Sequence, residues 1–232
     1  MALILCLETS SKNCSVSISD NGKVLFSKDN FDENYCHGEK LHVLIESLLI
    51  ESNILVENFD AFAFSAGPGS YTGLRIGAAS VKGFAFALDK PIIAVSTLKS
   101  MVASLLNNEG IKRDSLFCPV LDSRKGEVYA ALYDSNYNEH LTSFVCYIDA
   151  FSFQNYLDKY TVYFFGPGAY KLEAKIKHQN AIFSNSDYPS ARFLSALAYE
   201  KFQENDFVDA AYFEPMYLKN FVPTKAKKSI NK

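Results

Sequence analysis

No stretch of the 232-residue chain stays apolar over the roughly 20 residues that a membrane helix needs. The opening Met1-Ala2-Leu3-Ile4-Leu5-Cys6-Leu7 is apolar, but it lacks a basic flank and is broken by Glu8 and Thr9. It therefore reads as a first strand rather than a signal peptide, and a cytoplasmic protein without membrane contact is expected. The cysteines, Cys6, Cys14, Cys36, Cys118 and Cys146, are odd in number and contain no Cys-x-x-Cys pair, which speaks against a disulfide framework or a zinc knuckle and for buried reduced thiols. Cationic excess is also missing: 23 Lys and Arg stand against 26 Asp and Glu, so no broad positive field is available for nucleic acid. Histidine is scarce. His37 and His42 are five positions apart, about 140° around a helix, and cannot chelate one ion from one helix. His140 and His178 stand alone in polar surroundings, and all four read as surface or capping residues.

What is present is enough apolar residue, 48% of the chain, to bury the core of one domain or two small ones. Residues 3–8 form an apolar run, 14–19 alternate through Cys14, Val16 and Ile18, and Asp20-Asn21-Gly22 is a hairpin signal leading into Lys23-Val24-Leu25-Phe26. Leu41, Leu44, Ile45, Leu48 and Leu49 then fall on one stripe of a helix over 38–52. A buried strand over 59–66, a glycine-studded helix reaching Leu88, and a strand over 91–95 complete a first round. A second, looser round predicts strands over 116–121, 128–133, 142–147 and 162–165, and helices over 150–157, 169–177 and 191–204. Its Gly166-Pro167-Gly168 repeats the Gly67-Pro68-Gly69 of the first, which suggests an internal duplication. Periodicity by itself licenses a mixed α/β fold.

The most informative stretch is Ser65-Ala66-Gly67-Pro68-Gly69-Ser70-Tyr71-Thr72-Gly73-Leu74-Arg75-Ile76-Gly77, a rigid turn running into a helix. Its glycines allow close backbone approach, and Ser70 or Thr72 can cap a helix whose amides attract anions. Phosphate binding and a ligand-free strand-to-helix turn both fit. The stretch has neither the lysine and spacing of a Walker loop nor a Gly-x-Gly-x-x-Gly pattern.

Continued through Ala78-Ala79-Ser80-Val81-Lys82-Gly83-Phe84 and Pro91-Ile92-Ile93-Ala94-Val95-Ser96-Thr97-Leu98, this block resembles the TsaB (YeaZ-like) family of bacterial tRNA threonylcarbamoyladenosine biosynthesis. The resemblance extends to Ile4-Leu5-Cys6-Leu7-Glu8-Thr9-Ser10, His37-Gly38-Glu39-Lys40-Leu41, Asp122-Ser123-Arg124-Lys125-Gly126-Glu127-Val128-Tyr129 and Pro215-Met216-Tyr217-Leu218-Lys219, with only loose similarity between about 134 and 215. It implies a duplicated α/β fold like that of actin, sugar kinases and heat-shock ATPases (ribonuclease H-like), in two subdomains. The expected division is 1–105, a degenerate 106–214, and a basic tail over 215–232.

In that fold the first turn normally holds a nucleotide phosphate, so Glu8, Thr9, Ser10, Gly67, Gly69 and Ser70 are candidates for a vestigial nucleotide site, although Thr9 and Ser10 equally close a polar turn. The catalytic relative TsaD carries a His-x-x-x-His metal pair. The corresponding positions here, Thr97 and Met101, cannot replace it, so no metal and no tightly bound cofactor is expected, and ATP or ADP and a metal ion are assigned to the partners.

Two helix surfaces remain. Val43 and Ile50, flanked by Ser47, lie opposite the leucine stripe of the first helix, while Arg75, Ala79, Lys82 and Phe86 lie away from the Gly73, Gly77, Ser80 and Phe84 stripe of the second. Paired on adjacent helices they favour a docking face, and the resemblance implies docking onto TsaD there, or self-association, with the ATPase TsaE joining the shared surface. Arg124 and Lys125 are candidates for a contact near the partner's nucleotide. The tail holds five lysines and no acid beyond Pro215, and it reads as a solvated or disordered terminus; tRNA contact is expected only through the complex. The expected role is a non-catalytic subunit of threonylcarbamoyl transfer to N6 of the adenosine next to the anticodon. The alternatives are an active nucleotide-dependent phosphotransferase of the same fold and a glycoprotease-like peptidase, for which no nucleophile-base pair is evident.

Overall fold

The computed structural model describes residues 2–33, 36–108, 110–184 and 188–219. In the first round, β1 (Leu3–Glu8), β2 (Asn13–Asp20) and β3 (Lys23–Phe31) form an antiparallel meander. Asn21 and Gly22 turn between β2 and β3 with φ of 48° and 78°, the two positive values that a two-residue hairpin turn requires. Helix α1 (His37–Ser52) then crosses to β4 (Ala61–Ser65), and α2 (Tyr71–Leu88) crosses to β5 (Ile92–Val95). Both β4 and β5 join in parallel, so the sheet order is β3-β2-β1-β4-β5.

After α3 (Thr97–Leu106) the pattern repeats. β6 (Leu116–Asp122), β7 (Glu127–Tyr133) and β8 (Glu139–Tyr147) are antiparallel, and α4 (Gln154–Leu157) precedes β9 (Val162–Phe165), which pairs in parallel with β6. α5 (Ala169–Glu173) precedes β10 (Ala181–Ser184), and the second sheet runs β8-β7-β6-β9-β10. The identical strand order, with a Gly-Pro-Gly turn after the fourth strand of each round, is the duplicated actin and sugar-kinase type of α/β fold that the resemblance implies.

Each sheet is covered on both faces. In the first lobe Leu5, Leu7, Val16 and Ile18 pack with Leu41, Ile45 and Leu48 of α1 and Ala78, Val81 and Ala85 of α2. The other face carries Ile4 and the small residues Cys6, Ala61 and Ala63, under Leu194, Leu197 and Ala198. In the second lobe α3 packs Leu98, Met101, Val102 and Leu105 on Phe117 and Phe165, while Leu157 and Leu172 cover the opposite side. Among the described residues no helix is long and apolar enough to cross a membrane.

Several expectations change. The helix expected over 191–204 splits into a 3-10 turn, Ala191–Phe193, and α6 (Ser195–Gln203), and it packs on the first sheet although the sequence placed it in 106–214. The apolar far face of that sheet needs cover. β2 is buried on both sides for the same reason: the Ala191 amide donates to Ser15 Oγ (2.7 Å), and Ser17 Oγ lies 3.4 Å from Ser195 Oγ. The helices expected over 150–157 and 169–177 contract to α4 and α5, the strand expected from 142 begins at Glu139, and α3 and β10 are elements that periodicity left unnamed. Residues 215–219 are tied to the fold, with the Met216 amide on the Ala66 carbonyl and all but Met216 half-buried, and the rest of the basic tail lies outside the described residues. Cys6, Cys14, Cys118 and Cys146 are buried free thiols.

Candidate functional site

The turn after β1 and the start of α2 are built against each other. Thr9 Oγ1 donates to the Gly73 carbonyl (2.8 Å), and the Ser70 amide donates to the Ser10 carbonyl (2.6 Å). A Cβ at Gly73 would run into the Thr9 carbonyl oxygen, one at Gly77 into Thr9 Oγ1, and one at Gly69 would lie 2.5 Å from the Ser10 carbonyl oxygen. The glycines thus admit the chain's own first turn at backbone contact distance. Ser70 Oγ accepts from the Gly73 amide (3.3 Å) and caps α2, so these amides are already engaged within the protein.

Glu8 is fully buried beneath this turn. Its Oε1 accepts from the Ser10 amide (2.6 Å) and from Ser65 Oγ (2.9 Å), while Oε2 has no hydrogen-bond partner. Burial pushes its carboxyl above the ordinary 4.5, against the opposing effect of the serine hydrogen bonds. With the folded-state pKa raised, the unfolded chain gives up its proton first. The stability contributed by neutral Glu8 is full below pH 4.5 and declines as pH rises from there through the folded-state value. Glu8→Gln, which cannot ionise, is expected to lose this decline, so that urea unfolding from pH 4.5 to 8 shows the variant gaining on the wild type with pH; a constant difference between the two would refute the buried-neutral assignment.

Of the six candidate nucleotide contacts, Ser10, Gly69 and Ser70 line a cleft of about 530 Å³ between the lobes. Glu8 and Thr9 lie beneath it, and Gly67 (φ 109°) is covered by Met216, whose carbonyl oxygen would lie 2.7 Å from a Cβ there. Arg124 lines the opposite wall, with Pro167 and Tyr170. Lys125 is exposed at the tip of the same loop and is not part of the lining. Sequence reasoning missed Lys171, which pairs with the Asp122 carboxylate and donates to the carbonyls of Arg124 (2.9 Å) and Glu127 (3.2 Å), pinning the β6–β7 turn. It also missed Lys219, paired with Glu127.

His37 corrects the surface reading of the histidines. It is buried, with Nε2 2.7 Å from the Ser11 carbonyl, and burial lowers its pKa. His42, exposed on α1, lies 3.1 Å from Ser80 Oγ and ties α1 to α2. Thr97 and Met101 are core residues of α3, with Met101 packed near Gly166. Among the described residues no group of three or more His, Cys, Asp or Glu side chains is placed to hold a metal ion.

The outer faces of α1 and α2 carry open apolar side chains, set on α1 among the exposed Glu39, Lys40, Glu46 and Glu51. Val43, Ile50 and Phe86 are 57%, 75% and 90% exposed, with Ser47 and Ala79 exposed among them. Arg75 sits 4.1 Å over the Tyr71 ring, with its guanidinium carbon 5.9 Å from the centre of the Tyr217 ring. Lys82 is half-buried, and its Nζ donates to the Phe213 carbonyl (2.7 Å).

The fold and its site define a two-lobed α/β protein of the actin and sugar-kinase type, with its first turn packed onto the glycine helix and exposed apolar side chains on α1 and α2. Residues 34–229 match the family model described as TsaD: tRNA N6-adenosine threonylcarbamoyltransferase. The chain is 27% identical to the tRNA threonylcarbamoyladenosine biosynthesis protein TsaB of Haemophilus influenzae, across 96% of this chain and 95% of that one. It is 32% identical to TsaB of Escherichia coli, across 58% and 56%. A crystal structure from Pseudomonas aeruginosa, of a protein described as similar to peptidase YeaZ, superposes with a TM-score of 0.82 at 27% identity, across 94% of this chain and 100% of that one. The chain belongs to the TsaD family, in its TsaB (YeaZ-like) branch.

Proposed function

We propose that this chain takes part in tRNA threonylcarbamoyladenosine formation as a non-catalytic subunit that binds and organises TsaD, with TsaE joining at the shared surface. The observation that carries this reading is the exposure of Val43, Ile50 and Phe86 on adjacent helices of a chain in the TsaB branch. Large apolar side chains left open on adjacent helices support an interaction site. A catalytic role would need a carboxylate facing the cleft from the first turn, whereas Glu8 is buried and engaged by Ser10 and Ser65. ATP or ADP and the metal ion then belong to the partners, and tRNA meets this chain only through the complex. In isolation the same helix face can pair two copies of the chain.

The test is reconstitution of threonylcarbamoyl transfer to tRNA from TsaD, TsaE and the enzyme that makes the activated donor, with and without this protein. Modification is expected only when it is present, together with a stoichiometric complex with TsaD. Modification indifferent to its addition, with no complex formed, would overturn the reading. ATP turnover by the isolated chain, lost with Thr9→Ala, would favour the phosphotransferase alternative.

A further inference from the structure

Past α6 the chain returns across the whole first lobe. The Val208 amide donates to the Ile92 carbonyl (3.0 Å), Phe213 meets Phe64 edge-on with centroids 5.6 Å apart, and the Met216 amide donates to the Ala66 carbonyl (2.7 Å). Tyr217 then lies against α2, its ring centre 4.6 Å from that of Tyr71 and 5.9 Å from the Arg75 guanidinium carbon. Two residues on, Lys219 reaches the other side of the cleft and pairs with the carboxylate of Glu127 at the start of β7. Both side chains are half-buried, 20% and 15% exposed, so removing either takes away the other's partner where access of water is restricted. Lys171 holds the Glu127 carbonyl from α5, which makes the anchor on the second lobe rigid.

We propose that residues 213–219 are a latch: the strap is fixed to the first lobe, its Lys219–Glu127 pair holds the cleft closed, and docking on α2 acts on it through Arg75 and Tyr217. A strap bonded to one lobe and tied to the other by an ion pair is a two-position element, as a coupling between sites requires. Its sensing end, Arg75, lies on the same helix as Ala79 and Phe86, so the second half of the proposal rests on the docking face proposed above.

The test reads the separation of the lobes directly. Spin labels on Lys23→Cys and Lys159→Cys, both exposed and one on each lobe, in a Cys36→Ser background that leaves only buried native thiols, report the interlobe distance by double electron–electron resonance. Lys219→Met and Glu127→Gln are each expected to lengthen and broaden the distance distribution of the isolated full chain, and the double variant to add nothing further. Distributions identical to wild type, in variants whose circular dichroism is unchanged, would overturn the latch. Adding TsaD is expected to shift the wild-type distribution and to leave the Lys219→Met distribution where it was. A TsaD complex that forms with no shift would overturn the coupling to α2. No complex at all would instead count against the proposed docking, with the latch judged on the isolated chain.

Discussion

Gly73→Ala is expected to cost the protein about 3 kcal/mol or more, enough to lower its melting midpoint by roughly 6–12 °C. Helix propensity alone argues the other way, since alanine is about 1 kcal/mol better than glycine inside a helix. The packing decides. A methyl group at Gly73 meets the Thr9 carbonyl oxygen, a backbone atom that cannot rotate aside, and moving it disturbs the Thr9 hydroxyl bond to Gly73. Relaxation must therefore shift β1 or α2 as a whole. Gly83 in the same helix is the control: a Cβ there meets nothing within 4 Å, so Gly83→Ala is expected to stabilise by up to about 1 kcal/mol. Thermal or urea unfolding of the pair checks this, and equal effects at the two positions would show that backbone contact is not why the block is rich in glycine.

Val43→Asp and Ala79→Glu, tested separately, are expected to weaken TsaD binding by at least about 30-fold and to abolish tRNA modification in the reconstituted system. Both side chains are exposed in the isolated chain, so a carboxylate costs it little, within about 0.5 kcal/mol. In a complex the same carboxylate would be stripped of water against an apolar partner without a counter-charge. Calorimetric titration with TsaD gives the affinity, and the melting midpoint of the variant alone shows that it is folded. A folded variant that binds and supports modification normally would remove α1 and α2 from the interface. Lys82 is a weaker probe, since its ammonium serves the Phe213 carbonyl and its loss acts first on the strap.

The hairpin at Asn21 and Gly22 was legible because its turn chemistry is contained in adjacent residues. The leucine stripe of α1 was legible for a similar reason: Leu41, Ile45 and Leu48 repeat at helical spacing and are buried, while Val43 and Ile50 fall on the other side. The shorter second round was less legible. α4 has 4 residues and α5 has 5, too few for a helical period to separate from a turn. His37 was misread because nothing in its polar surroundings in sequence signals that the Ser11 carbonyl waits for its ring. For the candidate site, the importance of the glycine block was visible, and its purpose was not.

Local patterns in the chain were enough to read the two rounds of strands and helices, the Gly-Pro-Gly turn in each, and the placing of Val43, Ile50 and Phe86 away from the core stripes of α1 and α2, since all of these follow from residues within a few positions of one another. It took the packed fold to show that the glycines receive Thr9 and Ser10, that α6 closes the first sheet, and that the strap ends on the second lobe. Those contacts join positions 64 residues apart between Thr9 and Gly73, 176 between Ser15 and Ala191, and 92 between Glu127 and Lys219. At such separations no local period or turn preference carries information; the pairing is set by which surfaces remain to be buried once the two sheets have formed.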